Sequence, residues 1–345
     1  MISQPTFLCV ASPENQFHRR LPMKRLTIMV PVYNEQDVIP LFYSRIRRVI
    51  ETLSHHYHVD LLFLNNASTD GTLDKIASVR EDFANTYVIS LSRNVGYQRS
   101  LECGLRNAKG DLFVFIDVDC EDPPEMILQF IEKHEQGYDI VFGERVDREE
   151  PETIKAARKA FYRILQKVAD EDIILDMAEF SLFTAEVRDA LVQENTSFPF
   201  VRSSISRVGF RRTAIPFKRD KRIAGETHYN LLGMTVFAVA GILSASTLPL
   251  RLPLYTLPFM LVGLVVFGAL YVVTASPWFA LAAAVLAIGH MATSVAFIAL
   301  YVGRTYKNGL MRPNAFIDRR SSMLQPDPVP QDKTPTPPLI APALP

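Results

Sequence analysis

The chain has 345 residues, enough for one large domain or two smaller ones, and its 37 Lys plus Arg equal its 37 Asp plus Glu. That balance implies no nucleic-acid partner. Three cysteines (Cys9, Cys103, Cys120) with no CxxC pair exclude a disulfide framework and a zinc site, and reduced thiols fit a cytosolic face.

Hydrophobic residues make up 48% of the chain, high for a wholly soluble protein. The first 24 residues are no signal peptide, because their apolar run is short and the charges follow it. They read as a disordered lead, or as an over-extended start with Met23 as the true one. From Leu26 the pattern is regular. "LTIMVPV" is a strand, 37–53 an amphipathic helix, and "VDLLFLN" a second strand. "TLDKIASVREDF" is a helix, "YVISLS" a third strand, and 97–108 a helix. "DLFVFID" is a fourth strand, Pro124 to Glu135 a helix, and "YDIVFG" a fifth strand. Short apolar strands alternating with helices predict an α/β fold with a mostly parallel sheet covered on both faces. Ligands of such sheets bind at the carboxyl ends of the strands. Three polar clusters fall there: "PVYNE" (31–35), "NNASTD" (65–70) and "DVDCED" (117–122). With no GxGxxG after the first strand and no GxxxxGK[ST], a dinucleotide oxidoreductase or a P-loop NTPase is unsupported.

Residues 153–168 put Ile154, Phe161, Leu165 and Val168 at helical spacing among five Lys and Arg. Such a helix either contacts a membrane surface or docks on the sheet. Residues 252–275 and 278–302 contain no Lys, Arg, Asp or Glu. Each is long enough to cross ~30 Å of hydrocarbon. Basic residues flank the pair on both sides and none lies in the turn, which predicts two crossings with both flanks in the cytoplasm. The uncharged 229–250 stretch is richer in Ser, Thr and Gly, and with Arg251 it reads as an interfacial helix over 229–251. His290, inside the second span, reads as a neutral side chain bonded within the hairpin. The 55–58 run "HHYH" reads as an exposed loop. Residues 304–323 form a basic cytosolic segment, and 324–345 a Pro-rich tail.

In "DVD", Asp117 and Asp119 share one side of an extended segment, and by the same period Glu121 points with them. Carboxylates at a strand end suit Mg²⁺ or Mn²⁺ shared with a diphosphate. Asp122, before Pro123 and Pro124, reads as the cap that starts the next helix.

"VPVYNE", "NNASTDGT", "SRNVGYQRSLECGLRNAKGD", "IDVDCEDPPE", "FGERVDR", "RIAGETHY", "STLPLRL" and "YVGRTY…RP" occur in order over about residues 25–315. Together they resemble the glycosyltransferase family 2 enzymes that make polyprenyl-phosphate sugars, bactoprenol glucosyltransferases above all and dolichyl-phosphate mannose synthase more distantly. The resemblance implies a GT-A (Rossmann-like) catalytic domain over 25–228 with a C-terminal two-helix transmembrane hairpin. The implied activity is inverting transfer of a sugar from a nucleotide-sugar to a membrane polyprenyl phosphate, at the inner membrane with the catalytic domain and both termini cytoplasmic. Family members often form homo-oligomers. The resemblance places Pro31, Tyr33, Asn34, Glu35, Asn65, Asn66, Ser68, Arg93, Asn94, Gly96, Asp117 and Val118 around the nucleotide-sugar, though Asn34 also suits a helix cap. It assigns the metal to Asp117, Asp119 and Glu121, and catalysis to Asp119, Arg145 and Arg222. Arg148, Lys218 and Arg219 are acceptor-phosphate candidates. A phosphomonoester with its second pKa near ~6 is already a nucleophile at neutral pH, so a cation on the leaving diphosphate matters more than a strong base.

The sequence also departs from the family. Asn65-Asn66 stands where relatives have paired acids, which leaves the nucleobase open. Glu121 replaces a Gln. "EFSL" (179–182) lacks an Arg, and Thr227-His228-Tyr229 lacks a Lys. Two other readings remain: a transferase with another lipid acceptor, and a non-catalytic membrane interaction partner. A processive synthase is disfavoured because the single Trp, Trp278, lies between the spans rather than in a QxxRW motif.

Overall fold

The computed structural model describes residues 23–146, 174, 177–194, 196–220 and 246–327. The basic 153–168 helix, Arg148, Arg222, the 227–229 triplet and most of the 229–251 segment lie outside these residues.

One seven-stranded sheet organises the domain. Its strands are β1 (Arg25–Val32), β2 (His58–Asn65), β3 (Thr86–Ser90), β4 (Leu112–Phe115), β5 (Ile140–Val146), β6 (Met177–Thr184) and β7 (Arg212–Lys218). Their order is β3-β2-β1-β4-β6-β5-β7. β1, β2, β3 and β4 pair in parallel, as do β5 and β7, while β6 runs antiparallel to both neighbours. β1 and β2 are buried almost throughout because helices cover both faces, which is why they read as continuous apolar runs.

α1 (Ile39–Leu53), α2 (Thr72–Asp82) and α4 (Met126–Glu135) lie on the face whose core includes Phe42, Ile46, Phe63, Phe130 and Phe180. α3 (Tyr97–Asn107), α5 (Ala185–Gln193) and α6 (Val201–Arg207) lie on the other, around Leu62, Leu101, Phe113, Phe115 and Phe183. α3 packs so tightly on β2 that a Cβ on Gly104 would fall 2.5 Å from Leu64 Cδ1. The strands and helices expected from Leu26 through the fifth strand form within two residues of their expected bounds, except that β5 runs three residues further, to Val146. β6 and β7 were not anticipated.

Two apolar helices follow, α7 (Leu248–Thr274) and α8 (Pro277–Gly309), with mean hydropathy of 2.3 and 2.0 over their most apolar windows. None of their residues is buried. At ~1.5 Å per residue both are long enough to cross a bilayer. They form an antiparallel pair, and a Cβ on Gly263 would meet Leu286 Cδ2 at 2.8 Å. Ala275, left-handed at φ 48, ends α7. The expectation that Leu248–Arg251 belong to the interfacial segment is corrected. They form the first turn of α7, where Pro249 is tolerated because its missing N–H would have no helical partner. The Tyr301 hydroxyl donates to the Ser246 carbonyl at 2.7 Å, joining α8 to the residue just before α7.

After α8 the chain returns to the domain. Met323 bridges Val88 and Ile317 bridges Leu91, antiparallel along edge strand β3. Gln325 is then buried at the far side of the sheet, and Lys109 Nζ lies 3.3 Å from Asp327, so residues 324–327, expected to begin a disordered tail, pack on the domain.

Candidate functional site

The carboxyl ends of β1, β2 and β4 and the start of α3 enclose a cleft of about 530 Å³. Its floor is acidic. Tyr97 donates its hydroxyl to Asp117 Oδ1 at 2.7 Å. Burial, then the negative charges of Asp122 and Asp119, push the Asp117 carboxyl up to about 7. The same burial pushes the Tyr97 phenol well above its usual range.

Beyond Asp117 the extended chain stops. Val118 and Asp119 enter a turn, and Cys120 takes a left-handed φ of 55°. The Glu121 amide then donates to Asp119 Oδ1 at 3.1 Å. Strand alternation therefore does not extend to Glu121, contrary to the period-two expectation. Its carboxylate lies 2.6 Å from Arg219 Nε.

Asp122 is also corrected. α4 is preceded by Glu125 with no side-chain cap, and Asp122 is buried to 1% exposure. Arg145 Nη2 stands 3.3 Å from its Oδ2 and Arg219 Nε 3.8 Å from its Oδ1. Burial raises the Asp122 carboxyl, and these two guanidinium groups oppose that rise. Arg145 reaches the cleft past an irregularity in β5 between Phe142 and Glu144. A Cβ on the intervening Gly143 would fall 2.6 Å from the Phe217 ring.

Glu179 and Arg202, both outside the expected set, line one wall, and Gln98 holds Glu179 without lining the cleft itself. Gln98 donates to Glu179 Oε1 at 3.0 Å, and Arg202 Nη2 lies 3.5 Å from the same oxygen. Glu179 Oε2 is buried and has no hydrogen-bond partner among the described residues.

The Glycosyl transferase family 2 model matches residues 27–192. The uncharacterized glycosyltransferase YkcC of Bacillus subtilis is 38% identical over 230 residues, which are 66% of this chain and 71% of that one. A prophage bactoprenol glucosyl transferase homolog of Escherichia coli is 30% identical over 312 residues, 86% of this chain and 99% of that one. The uncharacterized glycosyltransferase sll0501 of Synechocystis is 30% identical over 301 residues, 84% of this chain and 93% of that one. The chain belongs to glycosyl transferase family 2. It is a glycosyltransferase with a GT-A-like sheet and two candidate membrane helices.

Against that identity the expected site residues divide. Pro31, Tyr33, Glu35, Asn66, Asn94, Gly96, Asp117, Val118, Asp119, Glu121, Arg145 and Arg219 line the cleft. Gly96, at φ 86°, makes the left-handed turn into α3. Asn34, Asn65 and Ser68 build the rim from behind. Asn34 Oδ1 accepts from the Thr69 amide at 2.8 Å, and Ser68 Oγ from the Asn34 amide at 2.9 Å. Asn34 therefore ties two strand-end loops together rather than capping α1. Asn65 donates to Ser90 Oγ at 3.0 Å and accepts from the Ser68 amide at 3.0 Å, so its amide is engaged within the protein. Asn66 bonds Asn94 and the Val95 amide. Arg93 and Lys218 are exposed and do not line the cleft. Tyr97 and Glu179 stand in quoted motifs, beside Gly96 and in "EFSL". Arg202 has no local signal.

The three-carboxylate metal set does not assemble. Among the described residues no group of three or more His, Cys, Asp or Glu is placed to hold a metal ion. Glu121 is held by Arg219 instead. Asp117 and Asp119 still suit a divalent ion, since burial first, and then the charges of Asp122 and Asp119, raise the Asp117 carboxyl, and a bound cation would oppose that rise. One or two carboxylates completed by substrate phosphates are enough for Mg²⁺.

Proposed function

We propose that the chain transfers a sugar, with inversion, from a nucleotide-sugar to a membrane polyprenyl phosphate, with a UDP-sugar as donor and undecaprenyl phosphate as acceptor. The observation that carries this reading is the cleft itself, where an acidic floor of Asp117 and Asp119 faces the cations Arg145 and Arg219. A donor diphosphate needs the first and an acceptor phosphate the second. The likeness to a bactoprenol glucosyl transferase homolog over nearly its whole length, apolar helices included, supports the same acceptor class.

In this reading Asp117 and Asp119 would hold Mg²⁺ or Mn²⁺, with Tyr97 fixing Asp117. The ion supplies charge neutralisation of the departing nucleotide diphosphate. Arg145, oriented by Asp122, and Arg219 steer the acceptor oxyanion in line with the anomeric carbon. The phosphate attacks as its own nucleophile, so no residue need remove a proton. The family resemblance assigns Arg222 to catalysis and Arg148 and Lys218 to the acceptor phosphate. Pro31, Tyr33, Glu35, Asn66, Asn94 and Gly96 border the nucleotide. In the same reading the hairpin is a two-span anchor in the inner membrane with the catalytic domain and both termini cytoplasmic, as the basic flanks favour.

The test is incubation of detergent-solubilised protein with UDP-, GDP- and CDP-sugars, Mg²⁺ or Mn²⁺, and undecaprenyl phosphate. A lipid-linked sugar is expected, and Asp119→Ala is expected to abolish it. No product from any donor, or full activity in Asp119→Ala, overturns the acceptor or the metal assignment respectively.

A further inference from the structure

A second cavity, of about 490 Å³, opens where the catalytic domain meets the end of α8. The domain contributes Phe198, Phe200 and Arg207, and α8 contributes Tyr301, Arg304 and Asn308. Arg207 is paired with Glu194 at 2.6 Å. Arg304 has no carboxylate partner among the described residues; its guanidinium lies 4.7 Å over the Phe198 ring. Lys307 Nζ sits 5.3 Å from the same ring and likewise has no carboxylate there. Two unneutralised cations therefore meet at one aromatic side chain of the catalytic domain.

The height of the cavity identifies its surroundings. The uncharged stretch of α8 ends at Gly303. Tyr301 lines the cavity from just inside that limit, and Arg304 and Lys307 are the first cations beyond it. Tyrosine followed by Arg and Lys is the order found where hydrocarbon gives way to headgroups. Stacking on Phe198 presets the guanidinium, whose planar fork matches phosphate oxygens.

We propose that this cavity binds the phosphate headgroup of an anionic phospholipid, as a site separate from the catalytic cleft. The proposal rests on the reading that α7 and α8 lie in a membrane. Its occupancy bears on catalysis through α6, which presents Ser203 and Ser204 to this cavity and Arg202 to the cleft. A bound headgroup buttresses that helix from behind.

The test uses the full chain in a non-ionic detergent, with thermal unfolding and native mass spectrometry against phosphatidylglycerol, phosphatidylcholine, undecaprenyl phosphate and inorganic phosphate. Phosphatidylglycerol is expected to raise Tm saturably and phosphatidylcholine not to. Arg304→Gln is expected to weaken the phosphatidylglycerol response roughly tenfold in apparent affinity. Arg304→Lys, the milder change, should fall between. An unchanged response in both variants overturns the proposal. An Arg304-dependent response to undecaprenyl phosphate alone makes the cavity an acceptor port instead, and one to inorganic phosphate alone removes the lipid. Fractionation of expressing cells separates the two failures. Recovery of the chain as soluble protein removes the hairpin reading, and the proposal with it. Membrane recovery with unchanged Arg304 variants overturns only the headgroup site.

Discussion

Arg219 Nε lies 2.6 Å from Glu121 Oε2, and one residue on the Asp220 amide donates to the Glu121 carbonyl at 2.9 Å. The end of β7 is thus fastened to the turn that follows β4. The negative charge of Glu121 does not float free in the cleft. It is matched by a cation drawn from the other end of the sheet.

Glu121→Gln keeps the backbone bond and releases the Arg219 charge. Because Arg219 is 41% exposed, the pair is worth about 1 kcal/mol or less. Transfer should stay within about fivefold of wild type. The acceptor KM should fall at low salt and return toward the wild-type value as salt screens Arg219. Steady-state kinetics at two ionic strengths measure both. Complete loss of activity would show that Glu121 has a role of its own.

The Asp122–Arg145 pair is buried on the Asp122 side, so its partners are not interchangeable with solvent. Arg145→Gln leaves a buried carboxylate with only Arg219, 3.8 Å away, to oppose it. Asp122→Asn takes from the guanidinium its directly bonded carboxylate and leaves it the more distant charge of Asp117. Each single change should cost about 3 kcal/mol, and the double change less than the sum of the two. Thermal unfolding of the four proteins in detergent measures this coupling, and additive losses would rule it out.

The same pair marks how far the sequence can be read. β1 to β4 and their helices are legible because each is a local apolar run or a helical period. β6 is not, because it enters antiparallel and breaks the strand–helix rhythm. β7 is an edge strand with Pro216 in its middle, a residue that argues against a strand except at an edge. Asp-Pro-Pro looks like a helix start to any local rule. Its true partner, Arg145, lies 23 residues away. Arg202 enters the cleft only because α6 packs beside β6. The acidic floor is legible since its residues are neighbours in sequence, whereas the groups that neutralise it come from distant elements.

Burial pushes the Cys103 and Cys120 thiols up to about 11. At pH 8 only about one in a thousand of each is thiolate, the reactive form. Native alkylation by iodoacetamide should be at least about a hundredfold slower than in urea and should rise about tenfold per pH unit toward pH 11. Peptide mass spectrometry resolves the two sites. Fast native labelling of Cys120 would mean that the turn after β4 opens in solution.

Gln325 closes the far side of the sheet. Its amide nitrogen donates to Asp60, to Thr27 Oγ1 at 3.0 Å and to the Lys109 carbonyl at 3.1 Å, while its oxygen accepts from the Lys109 amide at 2.9 Å. Asp60 is fully buried with Arg25 Nε at 3.3 Å. Burial raises its carboxyl above the usual value, and the Gln325 bond and Arg25 oppose that rise. An acid raised in the folded state makes its most favourable contribution below its unfolded pKa, near ~3.9, and loses it as pH climbs through the folded value. Gln325→Ala removes a donor from the charged form and raises that value further. Its deficit should therefore be larger at pH 8 than at pH 5, reaching about 2 kcal/mol where Asp60 is ionised. Thermal unfolding of wild type and variant at the two pH values decides it. An equal deficit at both would mean that the Gln325 contribution does not depend on the Asp60 charge.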